Sequence, residues 1–273
     1  MSQSLFNRRN TPASAGNVLQ RVRHSMSLVR TGLALAALLG TILPAVAQQP
    51  TDYVNPLIGT NGMGHVFPGA CTPFGWVQLS PDTDTIPHNV NGVYQKGTYA
   101  YCAGYRYQDT TIVGFSHTHL SGTGHSDLGD LLLMPTTGPL KLNPGRADHS
   151  DEGYRSRFSH ATEKAAPGYY EVMLDDYGIR AQLTATQRVG IHKYTFPKGE
   201  KGHLILDLVH SIYNYDGKVL WSNLRVENDT LPHHQRMGTH QLHVLCHLLL
   251  ATHPRLWLPG KGEDAVQRFL ETL

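Results

Sequence analysis

Between residues 169 and 226 apolar side chains recur at every second position, and turn residues break the pattern about every ten residues. Tyr169–Leu174 is followed by the turn Asp175-Asp176-Tyr177-Gly178, after which Ile179, Ala181, Leu183 and Ala185 alternate along 179–186. Gln187-Arg188-Val189-Gly190 then turns into 191–196, and the segments 203–210 (HLILDLVH) and 218–226 (KVLWSNLRV) supply two further runs. Side chains two apart share a strand face, so the pattern dictates an antiparallel meander with one buried face. Residues 50 to 150 carry turns and aromatics without a helical period, and 27 Gly, 16 Pro and 13 Tyr suit many short strands. The expected fold is all-β, an antiparallel, supersandwich-like β-sandwich with one sizeable core.

A net charge of +2 gives no basic surplus of the kind that drives binding to nucleic acid or an anionic membrane. Residues 30–47 (RTGLALAALLGTILPAVA) join a basic flank to an apolar run ending Ala45-Val46-Ala47. That is the layout of a signal peptide, with an uncleaved anchor as the alternative. Region 1–47 is therefore expected to be removed, leaving a secreted, periplasmic or cell-surface protein with no membrane association. In an oxidising compartment Cys71 and Cys102 can pair and leave Cys246 single; ordinary buried thiols are the other reading.

The far end departs from the strand pattern. Six of the 17 His fall within 233–254, where no strand or amphipathic period fits. One reading is a His-rich metal tract. The other is a reading-frame slip after Leu231, because a shifted frame from His233 permits a strand-like string. Residues 232–273 are then expected to be an aberrant, disordered tail after a sandwich spanning 50–231.

Three segments carry candidate chemistry. Gly59, Gly62, Gly64 and Gly69 surround His65 in a loop able to approach a ligand closely, without the Lys and Ser/Thr of a phosphate-binding loop. Tyr99, Tyr101, Tyr105 and Tyr107 line one face if 99–107 is an unbroken strand, and flat aromatic faces suit pyranose rings; packing between the sheets is the alternative. His117 and His119, in a string running to Asp127 and Asp130, share a face if the strand continues, as zinc ligands can. Ser121 and Gly122 stand where a metallo-hydrolase of the HxHxDH type would have Asp and His, which argues against that chemistry. Asp175-Asp176 and Asp151-Glu152 read as solvated turns, so no acid–base pair stands out.

The strings YVNPLIGT (53–60), GHVFPGA (64–70), PFGWVQLSPDT (73–83), CAGYRYQDTTIVGFSHTHLSGTG (102–124) and PGYYEVMLDDYGIRAQLTATQRVGIHKYTFP (167–197) closely resemble glycoside hydrolase family 92. The resemblance runs over 52–231 nearly without a gap. It implies the N-terminal β-sandwich of an exo-acting, calcium-dependent, inverting α-mannosidase that trims mannose-containing glycans, including N-glycans. A C-terminal (α/α)6 barrel would supply the acid, the base and most calcium ligands. On the sandwich side His65, Tyr99, Tyr101, Tyr105, His117 and His119 are expected to bind substrate, and no residue of this chain to be catalytic or to ligate metal. Tyr99 stands where many α-1,2-selective members carry Trp, and His125 where Cys is usual, which leaves linkage preference open. A chain of 273 residues has no length for the barrel, so a truncated, inactive fragment is expected. The rival readings are a free-standing carbohydrate-binding module built on the tyrosine face and a His-based zinc protein.

Overall fold

The computed structural model describes residues 48–212, the strand segments 219–226, 232–238 and 243–247, and the single positions Arg23, Met26 and Arg30. The signal segment expected before residue 48 otherwise lies outside the described residues, as does everything after 247. The chain divides at Gln49, and the sandwich lies wholly in the unit Pro50–Leu273.

The described strands are, in chain order, β1 (Ala70–Cys71), β2 (Gln78–Asp82), β3 (Asn89–Val90), β4 (Val93–Tyr94), β5 (Thr111–Ile112), β6 (Gly114–Ser116), β7 (Leu132–Thr137) and β8 (Ser156–Arg157). They continue as β9 (Lys164–Ala166), β10 (Tyr169–Leu174), β11 (Ile179–Ala185), β12 (Gly190–Thr195), β13 (Gly202–Asp207), β14 (Val219–Val226), β15 (Pro232–Gly238) and β16 (His243–His247). One sheet has the order β1-β2-β6-β7-β13 and a second the order β12-β11-β10-β9.

The meander forms where the alternation places it. In the β10–β11 pair Tyr170 faces Leu183, Val172 faces Ala181 and Leu174 faces Ile179, all buried. The opposite face carries Glu171, which accepts from Arg180 Nη2 at 2.7 Å and from Gln182 Nε2 at 3.2 Å. The inward set packs against Ala70, Leu79, Phe115, Leu132 and Met134 of the other sheet, giving a two-layer sandwich with one core. Strand β7 is buried along almost its whole length, which is why it reads as a continuous apolar run rather than an alternation.

Alternation also sets the far side of the five-stranded sheet. Leu79 and Phe115 enter the core, so Ser80, Asp82 and Ser116 point the other way, with Ser80 opposite Ser116 in the ladder. Those polar side chains are nevertheless buried, because the loops between the strands fold over them.

Two expectations change here. Cys71 and Cys102 are free; the Cys102 thiol lies 3.0 Å from Tyr99 O, which it can reach because 96–101 coils back. In the expected disordered tail, Pro232–Gly238 and His243–His247 pair as strands, β15 lying between β14 and β16. Their Pro and Gly stand only at the ends of β15, where they leave the ladder intact.

Candidate functional site

Tyr99 and Tyr101 do not lie on a strand. Lys96–Tyr101 is a 3-10 helix, whose turn sends alternate tyrosines to different surroundings. Tyr99 is 42% exposed, whereas Tyr101 is 1% exposed and Tyr105 2%. The Tyr101 hydroxyl meets Thr85 Oγ1 at 2.7 Å and Asp109 Oδ1 at 3.2 Å. Tyr105 donates to Glu163 Oε1 at 2.8 Å, Tyr170 donates to the same oxygen at 2.6 Å, and His160 Nδ1 reaches Oε2 at 2.5 Å. Burial, then the facing Glu163 carboxylate, pushes the Tyr105 hydroxyl far above its ordinary value. Tyr101 and Tyr105 are therefore anchors that clamp the loop to the sandwich, with no ring face left for a sugar.

His117 and His119 also part company, because β6 ends at Ser116. His117 Nδ1 donates to Leu131 O at 2.7 Å, and its Nε2 lies 3.1 Å from His192 Nε2 on the other sheet. His192 Nδ1 in turn meets the Tyr194 hydroxyl at 2.7 Å. A single proton direction satisfies this chain: Tyr194 gives to His192, His192 to His117, and His117 to the carbonyl. Burial holds His117 neutral, down to about 4, and pulls His192 well below its ordinary value.

His119 turns instead into the polar interior behind β2. Its Nδ1 donates to Gln78 O at 2.7 Å and its Nε2 faces Asp82 Oδ1 at 2.9 Å. His210 Nε2 takes the other oxygen, Oδ2, at 2.9 Å. Burial alone would raise the Asp82 carboxyl; the two imidazoles outweigh it and hold it well below the usual carboxylate range. His210 is raised in return: burial opposes its charge, and Asp82 overrides that. Nearby Asp84 has no such partner pair, and burial pushes it up to about 7. The cluster extends through Asp207, which accepts from His210 N at 2.9 Å and from the Tyr154 hydroxyl at 2.5 Å. Gly104, at φ +80°, closes the hub; a Cβ there would stand 2.2 Å from Asp82 Oδ1. Sequence reasoning missed this hub, because its members stand 37 and 128 residues from Asp82 and no spacing links them.

The structure does bring His65 and Tyr99 together, along with the third loop. His65 Nδ1 donates to Thr123 O at 2.9 Å, and its own carbonyl accepts from Gly122 N at 2.7 Å. The His65 and Tyr99 rings meet edge to face, with centroids 4.8 Å apart. A Cβ on Gly124 would stand 3.2 Å from the Tyr99 hydroxyl, so the rim tolerates no side chain there without adjustment. Three loops distant in sequence thus converge on one partly exposed aromatic ring. Among the described residues, no group of three or more His, Cys, Asp or Glu is arranged to hold a metal ion. The donor set for the calcium implied by the resemblance is not supplied by these residues.

The model of the glycosyl hydrolase family 92 N-terminal domain matches residues 53–237. The chain belongs to glycosyl hydrolase family 92. The family 92 α-mannosidase of Bacteroides thetaiotaomicron, solved in complex with mannoimidazole, shares 42% identity and a TM-score of 0.63. That match covers 73% of this chain and 24% of the mannosidase. Another family 92 glycosyl hydrolase structure is 27% identical with a TM-score of 0.52, covering 69% of this chain and 24% of its own. An uncharacterized secreted glycosidase of Arthroderma benhamiae is 30% identical over 164 residues, 58% of this chain and 19% of that protein. The chain therefore spans between 19% and 24% of the length of these family 92 relatives.

Proposed function

We propose that this chain is the glycan-facing sandwich of an exported, exo-acting α-mannosidase that removes terminal, α-1,2-linked mannose with inversion. The reading is carried by the convergence of His65, Tyr99 and Thr123 in a family 92 domain: a partly exposed aromatic face beside polar loop groups suits a pyranose. Tyr99 offers the stacking face and the 119–125 loop its polar edge. The buried carboxylates described above are tied to protein partners, Asp82 to two imidazoles, Glu163 to tyrosines and Asp207 to Tyr154. Inverting hydrolysis needs one carboxyl to protonate the leaving oxygen and another, across the ring, to activate water. Both are assigned to a C-terminal (α/α)6 barrel, together with the calcium ligands, and this chain binds and orients.

The test is to incubate the purified chain with α-1,2-mannobiose and calcium and measure free mannose. No release above the buffer blank is expected, with weak binding that Tyr99→Ala abolishes; turnover by the chain alone would overturn the division of labour. A free-standing carbohydrate-binding module would use the same Tyr99 face, and differs in needing no second domain for full affinity. The zinc reading loses its support, since His117 and His119 point to separate partners.

A further inference from the structure

Three features of His65 coincide. Its backbone is left-handed at φ 51°, a conformation that costs a residue other than glycine about 1–2 kcal/mol. Its side chain is 9% exposed, and Nε2 is buried without a hydrogen-bond partner. Leaving such a group unsatisfied costs about 1–3 kcal/mol, and buried polar groups in folded proteins are almost always paired. His117, His119 and His192 show the contrast, each with both ring nitrogens engaged. The strain and the orphaned nitrogen fall on the one imidazole that touches the partly exposed Tyr99 ring.

The bond to Thr123 O fixes the role of that nitrogen. A carbonyl can only accept, so the proton sits on Nδ1 and Nε2 presents a lone pair. Its missing partner is a donor. A carboxylate or phosphate has no proton to give, and a metal ion would need further ligands. A sugar hydroxyl supplies the proton, and Tyr99 supplies the face for the ring that bears it.

We propose that His65 Nε2 is the acceptor that reads one hydroxyl of the pyranose held against Tyr99, making His65 a specificity-determining residue. This rests on the glycan-site reading above. Tyr99 is the layer between the imidazole and solvent, so a ligand that engages its ring is the one placed to reach Nε2. Stacking and hydroxyl recognition are then coupled at one edge of the domain.

Calorimetric titration of the full chain with methyl α-mannoside and its monodeoxy analogues tests this. Wild type is expected to bind one analogue about fivefold more weakly than the parent, the worth of one hydrogen bond. His65→Asn is the informative variant: Asn tolerates positive φ, and its amide nitrogen takes the Nδ1 place on Thr123 while nothing replaces Nε2. It should bind parent and analogue alike. In wild type the Nε2 resonance in nitrogen NMR should shift as methyl α-mannoside saturates the site. Retained discrimination in His65→Asn, or an unmoved Nε2 resonance at saturation, overturns the proposal and leaves the glycan site standing. Absent binding by wild type, or unchanged affinity in Tyr99→Ala, overturns the glycan site itself and the proposal with it. Should His65→Asn fail to fold, the wild-type resonance decides.

Discussion

The interior around Asp82 and the rim around His65 use the same residue types in opposite ways. Behind β2, two imidazoles share one carboxylate, and each oxygen of Asp82 has its own partner. At the rim, His65 completes only one of its two ring contacts, within reach of a ring that is partly in water. The first arrangement gives rigidity, because a buried network stabilises only when its members are satisfied. The second leaves a vacancy that a ligand can fill. Histidine content therefore says little about this domain until each ring nitrogen is traced to its partner.

The comparison can be broken first at its strongest point. Asp82→Ala leaves two buried imidazoles without their shared acceptor, and a loss of about 3–5 kcal/mol in urea unfolding is expected. An effect below 1 kcal/mol, on the order of an exposed site, would show that the hub is not the structural centre described here. Glu163→Ala, which orphans the Tyr105 and Tyr170 hydroxyls, should cost about 2–3 kcal/mol by the same measurement.

Acid sharpens the contrast further. His117 takes up its proton at about 4 in the folded chain, against an ordinary 6.5, so the unfolded chain protonates first as pH falls. Stability is then lost from about pH 6.5 towards about pH 4, on the order of 2 kcal/mol. His210, raised by Asp82, acts with the opposite sign: its contribution is complete below its ordinary value and fades as pH rises through the folded one. His117→Gln should flatten the acid limb of a pH–stability profile and leave the His210 limb intact. At the rim the effect on stability is smallest. Tyr99→Ala should shift unfolding by about 0.5 kcal/mol or less while removing sugar binding, a separation that calorimetry and denaturation together reveal.

Legibility in the sequence follows the same division. Strands β10 and β11 were readable because one face is buried and one is wet, so burial writes itself as a period of two. The 99–107 tyrosines showed the same spacing for another reason: in a 3-10 helix followed by a loop, Tyr101 and Tyr105 go inward to Asp109 and Glu163. Alternation cannot tell these apart when the buried side chains are aromatic with polar tips. His65 and Tyr99 were visible as members of separate motifs, and their contact needed the fold. Asp82 stood in plain view inside PFGWVQLSPDT, but its partners lie on loops whose approach no local rule describes. The segments 232–238 and 243–247 were misjudged because their histidines mask strand-forming backbone that β14 can pair with.

The Asp82–His210 contact spans 128 residues, and His88 Nε2 reaches Ile212 O at 2.7 Å across 124. Emerging from the ribosome, β2 and the His119 loop must wait for that late segment before the carboxylate has its second imidazole. Until then a buried acid is held by one partner, and the layer over β2 stays open to solvent. Such long loops delay closure, so folding should be slow and cooperative, with the segment 207–212 acting as the last clasp.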